Sequence, residues 1–275
     1  MLRLPRLSKA VPTAAMVVPG ELSGAIHEYD DAGALARWLD VDGNSPDDYD
    51  APRDEIPWTL LMIAANHAAI NCTRLLIARG ANVNLANSRP TPNEHGGDGD
   101  QLMTPLHNAV AYFNLRGQRG TRNQLEIISL LLEAGARVNA RTKTGVTPLG
   151  HHLDTIQNGC ERSDTLVVSA LLRAGASMDS CHTYGSAEDV LRHGYDPAEH
   201  EEGEVLSLLE SVRAAGGWKR MKRIPHRKVL MLRALLARNR ATPRPNTPPH
   251  LVNLTRPSLP NEIVWRVLEY WEATL

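Results

Sequence analysis

The chain has 275 residues, 42% of them apolar but only 4% aromatic, with one Phe and a formal net charge of −1. That is enough length for one or two domains and ample apolar content for a core, but the scarcity of aromatics suits Leu- and Ala-rich helix stacks better than a β-sandwich. Cys72, Cys160 and Cys181 lack C-x-x-C spacing, so neither a zinc ribbon nor a disulfide framework is indicated, and no apolar stretch approaches the roughly 18 residues of a membrane span.

The first 20 residues contain no acid and carry Arg3, Arg6 and Lys9, with Pro5, Pro12 and Pro19 opposing a helix. Residues 1–21 read as a disordered tail, the alternative being a basic, acid-poor targeting peptide. Ala25 to Asp30 and Leu35 to Leu39 read as a degenerate helix pair ending near Gly43-Asn44. Three stronger units follow. Thr59-Leu60-Leu61-Met62-Ile63-Ala64-Ala65, Thr104-Pro105-Leu106-His107-Asn108-Ala109 and Thr147-Pro148-Leu149-Gly150-His151-His152 each precede a Leu-Leu run and a Gly-Ala pair, at Gly80, Gly135 and Gly175. Thr104 and Thr147 read as helix N-caps, with Pro105 and Pro148 at the first helical position, where a missing N–H costs nothing. Each glycine falls where a left-handed C-terminal cap is needed. Ala187 to Leu191 and Val205 to Leu209 suggest an eroded fifth unit.

The T-P-L-H-x-A strings resemble the ankyrin repeat, whose nominal period is about 33 residues. Thr59 to Gly80 spans 21 residues and Gly135 to Thr147 spans 12, the intervals of the family. The longer intervals leave insertions of roughly 12, 10 and 7 residues in one hairpin finger and two helix-to-helix loops, where such insertions normally map. The resemblance implies an all-α ankyrin-repeat solenoid over residues 22–215, of four to five repeats with degenerate ends acting as caps. It also implies a protein-binding scaffold rather than an enzyme; no cofactor or metal is expected, and the cysteine pattern points to a reducing compartment, the cytoplasm or alternatively the nucleus. His107, at the signature His position, is expected to support its turn by hydrogen bonds. In the family the residue before each signature Thr lies on the binding surface. Here that is Trp58, Met103 and Val146, flanked along the inner helices by Asn66, His67, Tyr112 and Asp154. The apolar three either form an exposed stripe or pack between fingers.

From Ser211 to Asn261 there are 12 Lys and Arg and no acid, while the remainder holds 18 bases against 31 acids. Residues 216–258 read as a basic, Pro-rich linker with one helix built on Val229, Leu232, Leu235 and Leu236. Lys219, Arg220, Lys222, Arg223, Arg227 and Lys228 offer an anion-binding cluster. The favoured reading is a solvated helix end that meets acids elsewhere in the chain, because no aromatics are interleaved as stacking platforms. Binding of nucleic acid or an anionic surface through residues 211–261 is therefore the alternative rather than the expected function. In residues 259–275, Leu259, Pro260, Ile263, Val264, Val267, Leu268 and Trp271 outline a short helical box similar to a truncated F-box and loosely to a SOCS box. That resemblance implies recruitment of a cullin-ligase adaptor, the alternative being a helix that packs on the last repeat. His151, His152, Cys160 and His182 lack metal-ligand spacing, and residues 93–100 lack the alternating ligands of a calcium loop.

Overall fold

The computed structural model describes residues 18–50, 58–87, 102–111, 118–157, 165–193, 203–238, 259–260 and 264. Its helices are α1 (Gly20–Tyr29), α2 (Ala32–Leu39), α3 (Leu60–Asn66), α4 (Ile70–Ala78), α5 (Pro105–Val110), α6 (Gln118–Glu133), α7 (Pro148–Gln157), α8 (Thr165–Arg173), α9 (Ala187–His193), α10 (Gly203–Ala214) and α11 (Trp218–Ala237). The chain forms two compact units, Met1–Leu209 and Glu210–Leu275.

In the first unit, α1, α3, α5, α7 and α9 pack side by side in one row, and α2, α4, α6 and α8 in a second. In the first row α1, α3, α5 and α7 each lead into a partner in the second, so the repeats stack as helix pairs. The core between the rows is aliphatic, with Ile26, Leu35, Leu60, Leu76, Leu106, Ile127, Leu131, Leu149 and Leu153 fully buried. Each such side chain contributes about 1.5–3 kcal/mol by leaving water.

The caps follow from the residues. The hydroxyl of Thr59 accepts from Met62 N at 3.2 Å, and that of Thr147 from Gly150 N at 3.3 Å. At the other end of each repeat Gly80, Gly135 and Gly175 have φ of 85°, 91° and 94°. Their left-handed turn lets the next amide (Ala81, Ala136, Ala176) reach back to Leu76, Leu131 and Leu171, each at 2.9 Å. In the eroded unit Ser186 replaces the threonine: its N–H and hydroxyl donate to Asp189 Oδ2 (3.0 and 2.6 Å), while its Oγ accepts from Asp189 N at 3.3 Å.

A hairpin finger joins successive pairs. The short strands β1 (Tyr49–Asp50) and β2 (Trp58–Thr59) form the first, with Asp50 opposite Trp58. In the third, Thr142 N donates to Val146 O and Gly145 N to Thr142 O, both at 2.9 Å. The second closes by the same bonds, Asn87 N to Met103 O and Leu102 N to Asn87 O, with 12 more residues between its strands. The insertion read from the spacing thus lengthens the finger and leaves its base unchanged.

Neighbouring fingers are clamped by a ladder. Asn84 donates to Gly135 O (3.0 Å) and accepts from Arg137 N (2.8 Å); Asn139 donates to Gly175 O (3.1 Å) and accepts from Ser177 N (2.8 Å). Asp47 holds the same register in the first repeat, accepting from Asn82 N at 2.7 Å.

The second unit contains α11, one helix from Trp218 to Ala237. It starts earlier than the apolar spacing implies, so the basic cluster lies on the helix rather than in a linker before it.

Candidate protein-binding surface

His107 shows how the signature works. Its Nδ1 accepts from Thr104 N at 3.1 Å, which leaves the proton on Nε2 to donate to Val146 O at 3.2 Å in the following finger. The ring is fully buried, and burial pulls its pKa down to about 4, so it is neutral at pH 7. In the next repeat the signature histidine is replaced by Gly150, and the Cys181 carbonyl occupies the space. Thr147 donates to that carbonyl from its N at 2.8 Å and from its Oγ1 at 3.2 Å.

The residues preceding the threonines do not make an exposed stripe. Met103 and Val146 are only 6% and 8% exposed, and Trp58 is half-buried. They are finger-base residues: Met103 N donates to Asn87 Oδ1 at 2.7 Å and Val146 N to Thr142 Oγ1 at 3.1 Å. With the backbone paired on its neighbouring strand, the side chain is left to fill space inside the stack. Asn66 is also buried. Tyr112 lies outside the described residues.

His67 and Asp154 do reach the surface. His67 packs against His27 with ring centroids 3.8 Å apart, joining α1 to α3. Burial, and then the neighbouring His27, lower its pKa to about 4. Asp154 on α7 comes within 4.0 Å of His182 Nε2, whose pKa is lowered chiefly by burial despite the carboxylate. Sequence reasoning missed what surrounds this pair. Tyr184, half-exposed on the fourth finger, stacks on His182 (4.6 Å, 29°) and takes the edge of His193 at 4.0 Å. Counting seven residues on from Gly135 and Gly175 places His182 level with Thr142, and that register marks His182-Thr183-Tyr184-Gly185 as a finger. An aromatic ring held by its neighbours and open on one side is the kind of anchor that dominates protein interfaces.

In the second unit Lys219, Arg220 and Arg223 are exposed, and the Lys222 ammonium sits 5.2 Å over the Trp218 ring. The side chains of Arg227 and Lys228 lie outside the described residues. Of the C-terminal box, Leu259 is half-buried, Pro260 exposed and Val264 fully buried. Arg233 donates to the Leu259 carbonyl. Ile263, Val267, Leu268 and Trp271 lie outside the described residues.

Paired helices in two rows, with clamped fingers and a signature histidine that ties one repeat to the next, define a repeat scaffold. Residues 24–142 match the family model described as ankyrin repeats (three copies), and the fold is the all-α ankyrin-repeat fold. No curated protein matches the chain. Ankyrin repeats generally serve as protein-interaction modules. Among the described residues no helix is long and apolar enough to cross a membrane.

Proposed function

We propose that the repeats bind a partner protein along the inner helices and fingers, with the ring cluster of His182, Tyr184 and His193 beside Asp154 as the anchor and the His27–His67 pair as a second contact. The observation that carries this is the half-exposed Tyr184, held by rings on two sides on a finger rather than filling the core. Trp58 contributes through its uncovered part. Met103 and Val146 keep the fingers in place. This is a binding function, with no catalytic step assigned.

The test is affinity purification from a cell extract with the full chain and with a Tyr184→Ala/His67→Ala variant, both checked for folding by circular dichroism. A protein retained by the full chain and lost by the folded variant supports the assignment. Equal capture by both places the binding elsewhere.

The finer reading, delivery of the bound protein to a ubiquitin ligase, is supported by the pattern Leu259-Pro260-Asn261-Glu262-Ile263 with Val267-Leu268. The burial of Val264 supports the alternative, a segment that packs within its own chain. A chain ending at Arg256 separates them: adaptor subunits recovered only with the full chain favour delivery.

A further inference from the structure

We propose that α11 is a docking element for the phosphate backbone of nucleic acid, a function beyond the protein binding assigned to the repeats. The unit from Glu210 to Leu275 holds 13 Lys and Arg against 4 acids. Within this unit the exposed cations are not paired: Lys219, Arg220, Arg223 and Arg238 have no carboxylate partner among its described residues. At 100° per residue Lys219, Arg220 and Arg223 share an arc of about 100° on α11, and Arg238, the residue that caps its C-terminal end, stands about 27 Å along the axis from Arg220. That is a stripe of cations approaching one turn of a duplex in length. Lys222, about 60° outside the arc, is drawn over the Trp218 ring instead.

The apolar side chains decide between a phosphate backbone and an anionic membrane. An interfacial helix needs an open apolar face opposite its basic one. Among the described residues of this unit, Val212 and Val264 are buried, Trp218, Met221, Leu235 and Leu236 are half-buried, and Met231 alone is a well-exposed large apolar side chain. Arg233 is buried and bonded to the Leu259 carbonyl, so that flank of α11 is used within the unit. Among the described residues, what remains open is charge, with Met231 the one exposed large apolar side chain. No exposed aromatic offers a base-stacking platform among these residues either, so the contact is to phosphates and does not read sequence.

Four phosphate contacts imply that log K falls with log salt at a slope of about −3.6, a loss of about 150-fold in affinity between 50 and 200 mM salt. The experiment is fluorescence anisotropy of a labelled duplex DNA of about 20 base pairs, at the spacing of one to two helical turns, titrated with the full chain at both salt concentrations. The Lys219→Ala/Arg220→Ala/Arg223→Ala variant, confirmed folded by circular dichroism, is titrated in parallel. Its slope is expected to drop to about −0.9, or about 3.5-fold over the same range, with weaker binding at 50 mM. Vesicles of phosphatidylserine and phosphatidylcholine are titrated alongside. No duplex binding, salt-insensitive binding, equal binding by the variant, or binding to vesicles in preference to duplex would each overturn the proposal. Because the substitutions leave the repeats untouched, capture of a repeat partner is expected to be unchanged whichever way this experiment falls.

Discussion

Replacing Gly150 by Ala sets two physical effects against each other. In a helix interior the change ordinarily stabilises by about 1 kcal/mol, because Ala loses less backbone entropy. Here a Cβ would stand 2.1 Å from the Cys181 carbonyl oxygen and 2.8 Å from its carbon. Ordinary contact requires the carbonyl to retreat by about 1 Å or more. That carbonyl accepts both Thr147 bonds, at 2.8 and 3.2 Å, and retreat weakens them together at about 1 kcal/mol each. Overpacking adds about 1–3 kcal/mol. The net expectation is destabilisation by about 2–4 kcal/mol, read as a lower urea midpoint in the helical circular dichroism signal. Gly24→Ala is the matched control, since a Cβ on α1 there meets nothing within 4 Å. It is expected to stabilise by about 0.5–1 kcal/mol. A Gly150→Ala protein as stable as the parent would refute the close approach of finger and helix.

The finger ladder predicts a graded response at Asn139. Asn139→Asp keeps the acceptor for Ser177 N but loses the donor to Gly175 O, and is expected to cost about 1 kcal/mol in urea unfolding; Asn139→Ala loses both, at about twice that. Acidification is expected to destabilise the repeats through His107. Its folded pKa of about 4 lies below the unfolded 6.5, so the unfolded chain binds the proton first; the stabilisation is complete above about pH 6.5 and is lost as pH falls towards 4. The loss is about 3 kcal/mol for this buried ring, and His107→Gln should lower the urea midpoint at pH 7 and reduce its fall across that window, the remaining fall belonging to the other histidines whose pKa burial lowers, His67 and His182. Burial raises the Cys181 thiol to about 12 and raises that of Cys72 as well. Brief alkylation of the native chain followed by peptide mass spectrometry should leave both unmodified, and modification of either would contradict its burial.

Much of the scaffold is written locally. Thr104 and Pro105, Gly135 and the apolar run of α6 lie within one repeat, so cap, helix and stop can be read from neighbouring residues, and the length of the second finger follows from counting between repeats. The binding surface was less legible because position within a repeat does not say which side of a residue is covered. Met103 and Val146 precede their threonines as Trp58 does, yet they are buried while Trp58 stays partly open. The basic segment shows the same limit: the absence of acids is plain in the sequence, whereas the absence of an ion pair at Lys219, Arg220 and Arg223 is a matter of what folds near them.

The amino-acid sequence by itself determined the helix pairs, their caps and the finger register, since those depend on residues a few positions apart. Only the tertiary structure decided that Asp30 of the first pair caps α4 through Asn71 N (3.0 Å) and Cys72 N (2.9 Å), that Asn84 and Asn139 clamp successive fingers, and that the missing histidine at Gly150 admits a backbone carbonyl. These contacts join residues more than 30 positions apart, and whether they form depends on how closely one repeat stacks on the next.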